Sequence, residues 1–136
     1  MGIDIDKDIH SKNSKQAYID QSIHVSKKII SLFPSCTTVA NTFRFDTGTK
    51  QLLYYTSLYN NSGNYLSPEF NIHQIIDRSG SGDCFMAGLI YGLLQNHDPQ
   101  SILNFATAAA VGKLQESGDA TRQNVEAVNG LLMKLS

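Results

Sequence analysis

The segment Gly80-Ser81-Gly82-Asp83 holds most of the chemistry that can be read from this chain. An apolar stretch ending in Ile75-Ile76 runs toward it, and the strongly apolar run Cys84-Phe85-Met86 follows it. Two glycines one residue apart let the backbone turn tightly and gather several N–H groups toward one point. If a helix starts there, its first amides have no intrahelical acceptors and its macrodipole is positive, which suits a phosphoryl oxygen. An acid in the same turn repels that anion, so Asp83 needs a reason of its own. It has one if it takes a proton from a hydroxyl that attacks the phosphorus while the amides stabilise the developing charge. Phosphoryl transfer to an alcohol uses both features. The competing reading is structural, with Asp83 as a simple helix cap. Two other phosphate motifs are excluded by residue. A dinucleotide fingerprint needs glycine where Phe85 stands, and a P-loop needs Lys then Ser or Thr where Asp83-Cys84 stand.

The elements that must position this loop follow from periodicity. From about Lys15, the residues Ile19, Ile23, Ser26, Ile30 and Phe33 recur at helical steps with one weak position, and Pro34 ends the run. The period then shifts toward two. Thr37–Phe43 and Leu52–Thr56 read as strands around the turn residues Asp46–Thr49, and Asn60–Asn64 is a second turn. A short strand, Phe70–Ile76, leads into the glycines. The second half is helical. Phe85, Met86, Leu89, Ile90, Leu93 and Leu94 predict a helix over about 83–96 buried along one broad face. Asp98-Pro99 is an N-cap followed by proline at the first helical position. The helix it opens runs to Leu114 with Ala108-Ala109-Ala110 small enough for close packing, and a last helix from near Thr121 presents Val125, Val128, Leu132 and Leu135.

Asp77-Arg78-Ser79-Gly80-Ser81-Gly82-Asp83-Cys84-Phe85-Met86-Ala87-Gly88 resembles the D-T-x-G-A-G-D-x-F-x-A-G signature of ribokinase-like, phosphofructokinase-B type carbohydrate kinases. Asp77, Gly80, Gly82, Asp83, Phe85, Ala87 and Gly88 match it; Arg78 and Ser81 depart from the usual Thr and Ala. Arg78, Leu89–Leu94 and Ser117-Gly118-Asp119 are similar to the 2-keto-3-deoxygluconate kinase branch. The resemblance is good over 75–119 and looser over most of the chain. It implies an α/β fold, the C-terminal portion of a ribokinase-like fold, with strands in the first half and helices in the second. It implies ATP and magnesium as cofactors, Asp83 as catalytic base, and Gly80, Ser81, Gly82 and Asp83 as an anion hole. Phe105-Ala106-Thr107-Ala108 is similar to the family's segment beside the adenine, which makes Thr107 a candidate nucleotide contact. Arg44 matches an arginine near the sugar acid in this branch, where a guanidinium could pair with a carboxylate; a solvated strand-end arginine is the competing reading. No metal ligands are assigned to this chain's residues.

Length and charge bound the rest. At 136 residues the chain suits one domain over 1–136, and 41% hydrophobic against 17% charged residues can build a core. A net charge of −1, with no Lys/Arg cluster beside Tyr54, Tyr55, Tyr59 and Tyr65, argues against nucleic acid as partner. Those tyrosines suit a β face that covers a partner or a missing half. Cys36 and Cys84 form neither a disulfide framework nor a zinc pattern, and His10, His24, His73 and His97 lack metal spacing. The polar start through Ser14 reads as a loose end and shows no signal peptide, and no apolar run approaches a membrane span. A cytoplasmic protein is expected. Family members are considerably longer, and their sugar motif, lid and acidic magnesium motif do not occur here. The expectation is therefore a fragment or truncated product opening at Met1, inactive alone. Its partners would be ATP, a small sugar or sugar acid, and the missing half, another chain or a second copy.

Overall fold

Lys15–Leu32 forms helix α1, tied along its surface by Gln16 donating to Asp20 one turn on. Pro34 cannot continue a helix, and the last bond of the run is from Phe33 N–H to the Ile29 carbonyl at 2.9 Å. The computed structural model describes residues 15–135. Met1, His10 and the rest of the polar start through Ser14 lie outside the described residues, as does the side chain of Leu135. Four strands follow α1: β1 (Val39–Gly48), β2 (Gln51–Asn60), β3 (Gly63–Leu66) and β4 (Phe70–Ile72). Three helices complete the chain: α2 (Ser81–Leu94), α3 (Pro99–Leu114) and α4 (Val125–Leu135). This is the α/β arrangement expected, strands first and helices after.

The sheet runs β1-β2-β3, with β4 also pairing antiparallel to β2 through Leu52↔Ile72 and Tyr54↔Phe70. β2 is the central strand, and Leu52 and the consecutive residues Tyr54–Leu58 are all buried. A strand covered on both faces loses the alternation that marks a half-exposed one. Tyr54 and Tyr55 are therefore core residues, 1% exposed, and not the partner-facing surface expected of them. Tyr55 stacks on Phe43 at 4.7 Å between ring centroids. The β1–β2 turn puts the left-handed backbone on Lys50, φ 56°, one position beyond the turn residues expected.

The residues gather into two compact units. In the first, comprising residues 15–41 and 57–65 of those described, α1 buries only Ile19, Ser22 and Ser26. Ser26, the weak position in the apolar stripe, accepts a hydrogen bond from Asn41 at 3.3 Å, so a polar contact stands where a methyl group would be ordinary. Phe33 at the end of the stripe is exposed.

In the second unit, residues 42–56 and 66–135, α3 is the central helix and Ala106–Leu114 are buried without interruption. A helix apolar all round belongs inside. Asp98 caps it as expected, accepting from Ser101 N–H at 3.0 Å with Pro99 next. α2 crosses α3 on glycines: a Cβ at Gly88 would stand 2.7 Å from Ala106 Cα, and one at Gly92 2.7 Å from Ile102. The buried face of α2 consists of Ser81, Cys84, Phe85, Gly88, Leu89 and Gly92. Met86, Ile90, Leu93 and Leu94 lie outside it, 49–75% exposed, so the broad buried face expected from periodicity is narrower and leaves an apolar stripe on the surface. α4 packs Val128 against Cys84, Ala108 and Ala109.

Candidate active site

The glycine loop is held from below by the end of α3. Ile76 and Asp77 N–H both reach the Leu114 carbonyl, at 2.9 and 3.3 Å, and Ile75 N–H reaches Lys50. Asp77 then ties the loop to the next one. Its carboxylate accepts Ser79 N–H at 2.9 Å and Gly118 N–H at 2.8 Å. Those bonds, Ser79's first, hold its pKa below the usual value.

Gly80 is the N-cap of α2, with φ 79° and ψ −1° and no side-chain cap. The left-handed turn favours glycine, and a Cβ there would overlap the Asp119 carbonyl. The first amide of the helix with an acceptor is Cys84 N–H, bonded to Gly80 O at 3.0 Å. The N–H groups of Ser81, Gly82 and Asp83 precede it and have no acceptor within the helix. Ser81 is buried, and its hydroxyl donates to the Arg78 carbonyl at 3.3 Å. Gly82 has open space where a Cβ would go. Asp83, three residues into the helix from its cap, does not cap it, and its side chain is exposed. Asp83 is therefore not the N-cap, and it stands in the first turn, where a carboxylate also suits the positive end of the helix.

A cavity of about 280 Å³ opens beside the turn, lined by Thr42, Arg44, Tyr54, Arg78, Ser81 and Gly82. Arg44 lies on β1 between half-buried Phe43 and Phe45, which turns it to the exposed side. Arg78 donates to Asp46 at 3.0 Å, a solvent-exposed pair. Burial pushes the Tyr54 hydroxyl up to about 12, against a smaller lowering by Arg44. Tyr54 therefore stays neutral at physiological pH. A second cavity of about 220 Å³, mainly apolar, is lined by Cys84, Gly88, Tyr91, Phe105, Ala109 and Val128 among others. Its rim carries Gln123, which donates to the Ala109 carbonyl at 2.9 Å. The first turn of α2 thus borders a polar cavity at Ser81–Gly82 and an apolar one at Cys84.

Of the residues singled out in the sequence, Gly80 and Asp83 flank the glycine turn without lining the polar cavity, and Ser81, Gly82 and Arg44 line it. Thr107 does not. It is 0% exposed, its hydroxyl donates to Leu103 O at 2.6 Å and meets Thr56 Oγ1 at 2.7 Å. As a nucleotide contact it is corrected to a structural hydroxyl linking α3 to β2, while Phe105 and Ala109 on the neighbouring positions border the apolar cavity. Cys84 is a core thiol, pushed up chiefly by burial. Sequence reasoning missed Lys113, Glu116 and Gln123. Glu116 accepts Thr121 Oγ1 at 2.6 Å and Arg122 N–H at 2.9 Å, folding the loop after α3 back on itself. No spacing rule marks such contacts. Among the described residues, no group of three His, Cys, Asp or Glu could hold a metal ion, and no helix is long and apolar enough to cross a membrane.

No curated protein sequence matches the chain. Among solved structures it is similar to 2-dehydro-3-deoxygluconokinase from Thermotoga maritima, at 29% identity and a TM-score of 0.76 over 89% of this chain and 35% of that one. An Enterococcus faecalis protein provisionally described as a 2-keto-3-deoxygluconate kinase is 26% identical, with a TM-score of 0.74 over 84% of this chain and 33% of that one. A PfkB family carbohydrate kinase from Listeria grayi shares the fold at 23% identity and a TM-score of 0.75, covering 89% and 35% of the two chains. The chain thus spans about a third of the length of these relatives. Residues 21–126 match the model of the pfkB family carbohydrate kinases, a span that contains the whole glycine turn with its exposed acid, and the chain belongs to that family.

Proposed function

We propose that residues 1–136 are the nucleotide-binding portion of an ATP-dependent kinase that phosphorylates a hydroxyl of a 2-keto-3-deoxy sugar acid. The observation that carries this reading is the uncapped, left-handed glycine turn, with Asp83 exposed in the helix turn that follows and Arg44 lining a cavity with Ser81 and Gly82. ATP would supply the phosphoryl group and magnesium would neutralise its oxygens. The amides of Ser81, Gly82 and Asp83 receive the oxygens of the transferring group. The Asp83 carboxylate takes the proton of the attacking hydroxyl. Arg44 pairs with the carboxylate of the sugar acid, and its fork geometry matches that group. The apolar cavity along Gly88, Phe105 and Ala109 suits a flat ring such as adenine.

A second reading, a nucleotide-binding or assembly module without turnover, is favoured by one observation, the α2 stripe Met86, Ile90, Leu93 and Leu94 left uncovered. Positioning supplies much of the rate of such a reaction, and this turn alone cannot orient a sugar. The test is a coupled assay for ADP release with keto-deoxy sugar acids, alongside titration with ADP. ADP binding without turnover supports the module reading for these residues on their own. In a chain that does turn over, Asp83→Asn should lower kcat by about 10²–10⁴-fold and leave ADP binding intact. Asp83→Asn with unchanged kcat refutes the base.

A further inference from the structure

Lys113, in the last turn of α3, is 0% exposed, and its ammonium is spent on backbone carbonyls. Nζ donates to Glu116 O at 3.3 Å and to Gly118 O. Both acceptors lie beyond the helix, so this is no ordinary lysine at a helix C-terminus. Burying such a charge is costly unless its donors are well satisfied, and a long apolar side chain would fill the space without that cost. The side chain also runs against the glycine turn: a Cβ on Gly80 would stand 3.3 Å from Lys113 Cε. The rest of the connection is covalent or hydrogen-bonded. Gly118, itself left-handed at φ 84°, gives its carbonyl to Lys113 and its N–H to Asp77. Asp77 holds Ser79 N–H, and the Asp119 carbonyl closes over Gly80.

We infer that Lys113 is a positioning residue for the anion-binding turn, a built-in cation that clamps the 116–119 loop and thereby aims the amides of Ser81, Gly82 and Asp83. The inference rests on the proposed function, since it presumes that those amides receive phosphate oxygens. The ammonium also adds positive charge behind the turn, which favours an anion in front of it.

The test is calorimetric titration of the whole chain with ADP, comparing wild type and Lys113→Met. The variant should bind ADP at least tenfold more weakly; in Lys113→Ala, where the shortened side chain leaves room beside the carbonyls, added methylammonium should recover part of the loss. Tetramethylammonium, which has no N–H to donate, should not. A purely structural lysine would not give that difference between the two ions. Lys113→Met binding ADP as tightly as wild type overturns this inference alone. A wild-type chain that does not bind ADP overturns the functional reading and this inference with it. Should Lys113→Met fail to fold, wild type decides the matter. Its ADP affinity should agree within about twofold in sodium, potassium and ammonium chloride, because the carbonyls already hold a cation; a tenfold gain with potassium overturns the inference.

Discussion

Gly80→Ala and Gly82→Ala separate what the glycine turn needs in order to fold from what it needs in order to bind. At Gly80, φ 79° costs a residue with a Cβ about 1–2 kcal/mol. The added methyl also overlaps the Asp119 carbonyl, whose loop is held by Lys113 and Asp77. Moving that backbone adds about 1–3 kcal/mol on the scale of overpacked sites. The sum runs from about 2 to 5 kcal/mol, which for a chain of this size lowers Tm by about 10 °C. Gly82 differs on both counts. It lies inside α2 without a left-handed backbone, and nothing stands within 4 Å of a Cβ there. Alanine is the better helix former by up to about 1 kcal/mol, so Tm should stay level or rise slightly. The open space is the cavity in front of the amides, however, so the methyl should weaken ADP binding. Thermal unfolding followed by circular dichroism, with ADP titration on the same samples, reads both effects. A Gly80→Ala shift below about 2 °C, or Gly82→Ala as destabilised as Gly80→Ala, refutes the reasoning.

Thr107→Val strands the hydroxyl of Thr56 and should cost about 1–3 kcal/mol in urea unfolding without changing ADP affinity; a selective loss of affinity would return Thr107 to the site. Asp77, Asp98 and Glu116 all have their pKa values lowered by hydrogen bonds, principally from Ser79, Ser101 and Thr121. Carboxyls depressed in the folded state contribute stability that is complete above their unfolded values of 3.8 and 4.5 and is lost as pH falls through the folded ones. Urea midpoints should therefore hold near pH 6 and drop below about pH 4, and Asp77→Asn should make that acid limb shallower. An identical limb in the variant contradicts the Asp77 strap. Leu93→Lys and Leu94→Lys, on the exposed stripe of α2, should change the stability of this chain by no more than about 0.5 kcal/mol, measured by urea unfolding. A loss of several kcal/mol would mean the stripe is already covered.

How much could be read in advance depended on whether the cause was local. The α1 boundary at Pro34 and the Asp98-Pro99 start of α3 follow from backbone sterics and capping within a few residues, and both stand where expected. The burial of Tyr54 and Tyr55 and the exposure of Met86 and Leu94 depend on which elements cover which face, and a periodic pattern does not say. Thr107 shows the same limit, since its helical neighbours border a cavity while its own side chain points to β2.

Sequence alone determined the chemistry on offer at Gly80–Asp83, because glycine at a turn and an acid next to it are properties of neighbouring residues. Tertiary structure decided whether that chemistry is accessible and what aims it. The contacts that do so, Gly118 to Asp77, Asp119 over Gly80 and Lys113 beneath the turn, join positions more than thirty residues apart. Only the docking of the 116–119 loop, brought back by α3, creates them.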